Sequence, residues 1–507
     1  MNPPFGKWRA RLWPIHAFEL KKVLPLFLIK FFISFNYGIL ASLKDTLVVT
    51  TKNSGAEVIP VLKGWVVLPI AILASIIYAK LSNHFKRSTL FYGIIIFFLA
   101  FFALYGFVLY PNRELICPHQ SADWLIQRFG EKYQYWVAVY RHWPQTLFFV
   151  FSELWGSIVI FLLFWGFMNQ ISPIHEAKRF YTLFSAGGNL AAFATGPLVW
   201  FYAKKFIEKS YLLTLQWLIA YILFFGFLIL TLHWWVVKHA INKQQNAQNI
   251  SNTRTRLSLI EGIKHVFSSK HLRYISLMVI GYGLVMNLVE VTWKANLKLY
   301  YPSPADYQSF WGTITSCVGI ISFFISVFVG GNVIRFFGWR FSAMIPPIIV
   351  GTTGTLFLGL VFLHNHYPIY SFGAASLFFI VIFGAFQNIL SKAVKYSFFD
   401  PTKEMAFIPL DNEGKTKGKA AIDVVGSRLG KSGSAWIQIF LIEFATLSGS
   451  VLSITQYILP IVLLMTIRWM FAVRSLHKDY LSHAERVSEE ISAEKKPTLV
   501  KNELPES

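Results

Sequence analysis

The most constraining feature of this 507-residue chain is a series of apolar stretches, each long enough to cross a bilayer. A helix rises about 1.5 Å per residue and a hydrocarbon core is about 30 Å thick, so about 20 residues suffice. The sequence lacks the ten-residue blocks of alternating polarity that are typical of a membrane β-barrel. It therefore predicts an all-α integral membrane protein with twelve transmembrane helices, at residues 23–43, 59–80, 89–110, 146–171, 180–203, 211–237, 274–294, 309–334, 341–363, 369–392, 420–447 and 451–473.

Composition excludes several other classes of protein. Hydrophobic residues make up 55% of the chain and charged residues only 14%, whereas a soluble chain of this length would carry far more charge. The net charge of +22 lies mostly outside the apolar stretches, so it is first a signal of topology rather than of nucleic-acid binding. Cys117 and Cys317 are isolated, so neither a disulfide framework nor a metal site is expected. The first apolar stretch is too long for a signal peptide, and we expect an uncleaved first span.

The distribution of basic residues predicts the orientation of the chain. Lysine and arginine are enriched in the cytoplasmic loops of membrane proteins. The segments 1–22 and 238–273 are strongly basic, and so are the short loops after the second and fourth spans. All of these segments lie on one side, which predicts that both termini are cytoplasmic. Lys204, Lys205 and Lys209 fall on the opposite side and argue mildly against this orientation.

The spans fall into two groups of six. A basic cytoplasmic linker at 238–273 separates an N-terminal half at 23–237 from a C-terminal half at 274–473. A cytoplasmic segment at 1–22 precedes these halves, and a cytoplasmic tail at 474–507 follows them. The tail is charged and has no apolar periodicity, so it is expected to be mobile.

The first spans of the two halves are similar in sequence. Asn36-Tyr37-Gly38-Ile39-Leu40 aligns with Gly281-Tyr282-Gly283-Leu284-Val285, and the same register places Asp45 opposite Glu290. A short basic turn follows the second span of each half. These matches predict a 6+6 pseudo-repeat of the major-facilitator type, in which substrate binds near the midplane between the halves.

Charged residues inside the apolar stretches indicate function. A charge at membrane depth costs about 2.5–3.5 kcal/mol and usually faces a polar cavity. Glu153 lies between two apolar runs, too deep for its short side chain to reach the interface easily. Lys44 lies near the end of the first span, where its ammonium group could instead extend to the interface. Glu290 could form an ordinary i,i+4 pair with Lys294.

A cation pair in the eleventh span indicates an anionic substrate. Arg428 and Lys431 are three residues apart in a segment rich in glycine and serine, and no acid is expected near them. Two such cations repel each other unless an anion lies between them, so the pair suits a phosphate group. A Walker A loop is excluded, because Val425 stands where the motif needs glycine and the segment is apolar.

Several long motifs, in order along residues 12 to 475, give the chain a specific resemblance. They are Lys44-Asp45-Thr46-Leu47-Val48-Val49, Ser54-Gly55-Ala56-Glu57-Val58-Ile59-Pro60, Ser152-Glu153-Leu154-Trp155-Gly156-Ser157, Val289-Glu290-Val291-Thr292-Trp293-Lys294, Gln387-Asn388-Ile389-Leu390-Ser391-Lys392, Lys403-Glu404-Met405-Ala406-Phe407-Ile408-Pro409-Leu410 and Gly418-Lys419-Ala420-Ala421-Ile422-Asp423-Val424-Val425. In these motifs the chain resembles the ATP/ADP translocase family of obligate intracellular bacteria and plastids, which is unrelated to the mitochondrial carrier. The resemblance implies twelve spans and nucleotide transport.

The resemblance also implies roles for particular residues. The charged residues essential for transport in the family correspond to Lys44, Glu153, Glu290 and Lys431. The further candidates for substrate binding are Arg428, Asp45, Asn287 and Lys294. In one respect the chain departs from the family: ATP/ADP-exchanging members usually carry Arg-Asp where this chain has Ala41-Ser42. The loss of that cation and acid predicts a changed substrate range or coupling, unless another cation such as Lys63 or Lys294 compensates.

We therefore predict a nucleotide transporter of the bacterial inner membrane that works by alternating access, with ATP/ADP antiport as the best interpretation. Proton-coupled import, or exchange of another nucleotide such as UTP, GTP or NAD, is the alternative. A multi-pass transferase would place clustered acids and histidines on loops, and here they are scattered. No enzyme activity, cofactor, metal or nucleic-acid partner is expected; the partners are a nucleotide and membrane lipid. The amphiphilic loop 393–419 is predicted to be a solvated connection or a gate.

Overall fold

The structure, a computed structural model, describes residues 19–171, 174–208, 210–239, 259–367, 374–407, 410, 418–445 and 449–494. The regular secondary structure of these residues is entirely helical. Ten helical segments among them are long and apolar enough to cross a membrane. They are Leu20–Val49, Val58–Ser82, Arg87–Leu109, Trp143–Met168, Tyr211–His239, Lys270–Tyr300, Pro304–Gly330, Asn332–His366, Ser376–Ala406 and Thr455–Lys478. The chain is an all-α integral membrane protein, as predicted.

Two further long helices occupy the fifth and eleventh predicted spans. These spans contain glycine, serine and charged residues, which lower their apolar character, and the count of twelve depends on them. We number the long helices in chain order. Those without a change of helical type are α1 (Leu20–Val49), α5 (Ile174–Lys205), α6 (Tyr211–His239), α7 (Lys270–Tyr300), α9 (Gly331–His366, interrupted at Gly338) and α12 (Thr455–Glu494).

The remaining long helices each contain a π-helical stretch, a geometry often found at functional sites. They are α2 (Val58–Val61, Leu62–Val67 and Leu68–His84), α3 (Arg87–Leu104 and Tyr105–Leu109), α4 (Trp143–Leu154, Trp155–Trp165 and Gly166–Ile171), α8 (Pro304–Phe324 and Ile325–Gly330), α10 (Ala374–Val394, Lys395–Phe399 and Asp400–Ala406) and α11 (Lys419–Ala421, Ile422–Gly426 and Ser427–Phe444).

The packing of the helices repeats from one half to the other. Helix α1 packs against α4, α5 and α6, and α7 packs against α10, α11 and α12. The aligned first spans share these surroundings. A Cβ on Gly38 would lie 2.8 Å from the Thr195 hydroxyl in α5, and a Cβ on Gly283 would lie 3.2 Å from the Gly430 Cα in α11. The predicted 6+6 pseudo-repeat is confirmed in this packing.

The two halves meet where the fifth helix of each half packs against the second helix of the other half. Helix α5 packs along α8, and α11 packs against the start of α2. Glycines allow the first of these pairs to come very close, as in many membrane helix interfaces. A Cβ on Gly196 would lie 1.8 Å from the Ser316 Oγ and 2.3 Å from the Gly312 carbonyl oxygen. A Cβ on Gly319 would lie 2.3 Å from the Phe193 backbone nitrogen.

Polar contacts join the halves at the face where α1 ends, which we call the outer face. The Lys204 ammonium group lies 2.9 Å from the Asp306 carboxylate, and Lys298 donates to the carbonyl oxygen of Ser54. The Glu57 carboxylate accepts a 3.2 Å hydrogen bond from the Val451 backbone N–H. These contacts close the outer face in this conformation.

Several segments outside the predicted spans differ from expectation. The connection between α3 and α4 contains short helices at Arg113–Ile116, His119–Phe129 and Gln134–Arg141, for which the sequence analysis made no prediction. Helix α10 continues through Ala406, so the first part of the loop at 393–419 is helical rather than a solvated connection. Its residues 408–409 and 411–417 lie outside the described residues. Helix α12 extends to Glu494, so residues 474–494 of the tail that was expected to be mobile are helical.

The α5–α8 contact generates a first prediction. Gly196→Val should reduce the predicted transport activity more than tenfold, because its side chain would force α5 away from the α8 backbone and prevent closure of the outer face. The matched control is Gly359→Val in α9, where an added Cβ meets nothing within 4 Å. Transport and the amount of folded protein should be measured for both variants in proteoliposomes. Equal activity of the two variants would contradict the close packing.

Candidate functional site between the two halves

Six charged side chains form an alternating chain at the interface of the halves, which we call the ion chain. It comprises, in spatial order, Glu153, Lys44, Asp45, Lys294, Glu290 and Lys392. The successive nitrogen–oxygen distances are 2.5, 3.6, 3.0, 3.4 and 3.7 Å. Each interior member therefore lies between two charges of the opposite sign.

Helix geometry explains how the polypeptide positions the side chains of the ion chain. Glu290 and Lys294 are four residues apart in α7 and so lie on the same face of the helix. Lys44 lies in α1, six residues before Thr50, which ends that helix. Lys44 therefore reaches sideways into the bundle, where its Nζ lies 4.3 Å from the ring centre of Phe149 in α4.

One bridge in the ion chain crosses between the halves. Asp45 in α1 and Lys294 in α7 are 3.0 Å apart, and their side chains are 3% and 2% exposed. Breaking a buried pair by removing one partner typically costs about 3–5 kcal/mol, because the remaining charge is left without compensation. The first helices of the two halves are thus held together by charge in the buried interior of the protein.

A second cross-half contact lies beside the ion chain. Lys63, in the π-helical stretch of α2, donates a 2.6 Å hydrogen bond to the Asn287 amide oxygen in α7. The Asn287 amide nitrogen donates in turn to the Lys431 carbonyl oxygen at 2.8 Å and to the Ser434 hydroxyl at 2.7 Å. Asn287 therefore links α2, α7 and α11.

The predicted cation pair of α11 faces the cleft between the halves. Lys431 is exposed and Arg428 is partly exposed, and both interact electrostatically with Glu153 on the opposite half. The premise that these cations have no acid nearby is therefore wrong, because sequence distance does not report contacts between halves. Their exposed groups remain accessible to an anion in the cleft.

The structure also decides between the alternatives for two other residues. Lys44 is 4% exposed and pairs with Glu153, so the interpretation as a lysine extending to the interface is wrong. Glu290 forms the i,i+4 pair with Lys294 and also lies 3.7 Å from Lys392 in α10. The intrahelical pair is therefore one link of the ion chain rather than an isolated contact. The described residues contain no cluster of acids, histidines and cysteines that could hold a metal ion.

Comparison with known proteins decides the family. Residues 1–480 match the family described as TLC ATP/ADP transporter. The chain is 42% identical to ADP,ATP carrier protein 1 of Chlamydia pneumoniae over 504 residues, which cover 97% of each chain. It is 39% identical to the chloroplastic ADP,ATP carrier protein 2 of Arabidopsis thaliana, with 98% of this chain and 81% of the relative covered. The chain belongs to the TLC ATP/ADP transporter family.

Solved structures of low sequence identity share the fold of this TLC family member. A bacterial homologue of the iron transporter ferroportin, in an inward-facing state, matches with a TM-score of 0.56 and 14% identity, covering 91% of this chain and 99% of the other. A D-xylose–proton symporter matches with a TM-score of 0.54 and 13% identity, covering 91% and 97%. These similarities are of the fold alone, and they confirm the predicted all-α membrane architecture.

Two basic residues of this TLC transporter's site received no assigned role from the sequence alone. Lys63 was considered only as a replacement for the missing arginine at position 41, and Lys392 only as part of a motif. Lys392 extends the ion chain to α10 and lies 5.4 Å from the ring centre of Trp311. Lys63 and Lys392 each lie within or at the end of an apolar span, and this is the sequence feature that made Lys44 a candidate.

The buried cross-half bridge generates a second prediction. Asp45→Asn and Lys294→Gln should each lower the free energy of unfolding by about 3 kcal/mol or more, and the double variant should lose less than the sum. Thermal unfolding of the four purified proteins measures this coupling. The matched control is Lys204–Asp306, a cross-half pair whose side chains are 43% and 33% exposed, with an expected coupling below about 1 kcal/mol. Additive effects of Asp45→Asn and Lys294→Gln would contradict a direct bridge.

Proposed function

We propose that this chain exchanges ATP for ADP across a bacterial inner membrane by alternating access, with the phosphate groups bound at the ion chain and the cleft cations of α11. The observation that carries the proposal is the set of buried charges at the interface of the halves. Packing of the hydrophobic core does not require a charge network in this position. Ionisable groups inside membrane proteins usually mark a substrate path. The names of the family relatives support a nucleotide as substrate.

The balance of charge in the site favours a polyphosphate. Three carboxylates, of Asp45, Glu153 and Glu290, face six basic side chains. The basic residues are Lys44, Lys63, Lys294, Lys392, Arg428 and Lys431. With all six basic side chains protonated, the site carries an excess of three positive charges. A nucleoside diphosphate carries about three negative charges and a triphosphate about four, so either would nearly balance this excess.

Charge compensation explains why transport would be an exchange. With no substrate, the cleft holds excess positive charge, and burying that charge during reorientation is costly. A bound nucleotide neutralises the cleft, so the halves can rock around it. Asp45 and Glu290 hold Lys294 between substrate visits, and phosphate oxygens compete with these carboxylates for the lysines. The empty protein therefore stays on one side of the membrane until a counter-substrate binds.

The departure at Ala41 and Ser42 leaves this proposal intact. Lys63 brings a cation to the site from α2, and its hydrogen bond to Asn287 involves a neutral amide rather than a carboxylate. Ser42 is 1% exposed, so an aspartate there would add a buried acid to the site. We therefore favour compensation by Lys63 over a changed substrate. We also propose that the outer face is periplasmic and that both termini are cytoplasmic, on the distribution of basic residues.

The proposal predicts obligate exchange. Liposomes loaded with ADP should take up labelled ATP at least tenfold faster than empty liposomes, because an empty carrier does not return. Unlabelled ATP and ADP should compete for uptake, whereas UTP, GTP, CTP and NAD should not. Uptake into empty liposomes that follows an imposed proton gradient would identify a symporter and contradict the exchange.

Substitution of the cleft lysine provides a fourth prediction. Lys431→Gln should reduce exchange more than tenfold at unchanged expression, because a neutral amide cannot offset phosphate charge in a site of low dielectric. Lys431→Arg should retain part of the activity. The control is Lys205→Gln, an exposed lysine at the outer end of α5. If Lys431→Gln exchanges nucleotides as fast as the native protein, this residue does not bind phosphate.

A further inference from the structure

A separate cavity of about 510 Å³ opens at the outer face, above the ion chain. This size suits a small-molecule ligand, since such sites are about 300–1,000 Å³. The end of α1, the turn that follows it, the short helices between α3 and α4, and the start of α4 supply most of its wall. Asn53 in the turn has a φ of 58°, a left-handed conformation that asparagine tolerates better than most residues.

The cavity lies on the same two helices as the ion chain. Leu47 at its base is three residues after Lys44 in α1, which places it about 4.5 Å further along the helix. Gln145 in its wall, Phe149 and Glu153 follow each other at intervals of four along one face of α4. The fully buried Phe149 ring therefore lies between the cavity and Lys44.

Charged groups in the cavity are arranged to favour an anion. Arg141 is 4% exposed, and its Nε is buried without a hydrogen-bond partner. The amide oxygen of Gln145, in the same cavity lining, is also buried without a partner. Arg141 bonds to Asp123 through Nη2, but the Asp123 side chain is 60% exposed and can turn to solvent at little cost. The fixed group is thus a cation and the movable group is an acid.

The remaining charges leave a small positive excess. Lys52 is exposed and Arg113 is partly exposed, and Glu114, whose side chain is 74% exposed, lies 3.5 Å from Arg113. Burial lowers the pKa of His142 to about 4, so this ring is neutral at pH 7. It lies 2.9 Å from the Lys52 carbonyl oxygen and fixes the turn. His119 lies 3.6 Å from Glu114 and also lines the cavity.

We propose that this outer cavity is a second binding site for the phosphate groups of a nucleotide, on the path to the ion chain. This inference rests on the proposed function of the protein. Arg141 and Lys52 bind the phosphate oxygens when Asp123 turns away. Phe149 separates the two sites while the outer face is closed, and its movement admits the nucleotide to Lys44 when that face opens.

Equilibrium binding to a protein with a disabled central site tests this proposal. In full-length protein carrying Lys44→Gln and Lys431→Gln, labelled ADP should still bind, with competition by ATP and pyrophosphate but not by adenosine. Adding Arg141→Gln or Lys52→Gln should weaken that binding about tenfold, since a hydrogen bond to a charged group is lost. Adding Asp123→Asn should strengthen it, a change of opposite sign that misfolding does not produce. Arg128→Gln, an exposed arginine of the same short helix as Asp123, is the matched control and should have no effect.

Each contrary outcome has a distinct meaning. Loss of all ADP binding in the doubly substituted protein would overturn the outer site and leave the central one intact. Orthophosphate that competes as well as ADP would assign the cavity to the free ion and overturn a nucleotide site. Undiminished nucleotide exchange by the doubly substituted protein would instead contradict the proposed role of the ion chain, without bearing on binding in the outer cavity.

Discussion

The salt bridge between Asp45 and Lys294 is the contact around which the rest of the site is organised. It joins the first helix of one half to the first helix of the other, and both side chains are almost fully buried. Each partner also faces a second opposite charge, Lys44 for Asp45 and Glu290 for Lys294. Removing one member therefore leaves the charges of its neighbours without compensation. A bound anion, in contrast, can take the place of several carboxylates at once. The alternating charges therefore stabilise the closed interface, and phosphate groups can rearrange them.

The surrounding fold gives this interface two different kinds of contact. Around the ion chain the halves meet through charges, which a polyanion can rearrange. Along α5 and α8 they meet through closely packed glycines, and at the outer face through hydrogen bonds such as that of Glu57 with Val451. The glycine contacts are uncharged and the Glu57 side chain is partly exposed, so these contacts can separate and re-form without moving a fully buried charge. The division suits a carrier whose central site binds substrate and whose outer contacts open and close.

Much of the fold could be predicted from the sequence, because the length of an apolar stretch is a local property. For the same reason, the depth of Glu153 within its span could indicate a candidate functional charge. The pairings could not be predicted in this way: Asp45 and Lys294 lie almost half the chain apart, and neither the alternating order of charges nor the role of Lys392 is a local pattern. Arg428 and Lys431 were singled out as a cation pair from their spacing, but the acid that interacts with them, Glu153, comes from the other half. The short helices that form the outer cavity are amphipathic and too short to cross a bilayer, so the pattern of long apolar spans does not reveal them.

The central claim is that a nucleotide, by compensating the charge of the site, allows the halves to reorient. The most direct measurement is the distance between spin labels at Ile207→Cys and Leu299→Cys, exposed positions at the outer ends of the two halves, in protein with Cys117 and Cys317 replaced by serine. The account predicts one short distance in the empty protein, a second and longer distance with ATP or ADP, and no change with adenosine. A longer distance in the empty protein, or the same response to adenosine, would contradict it.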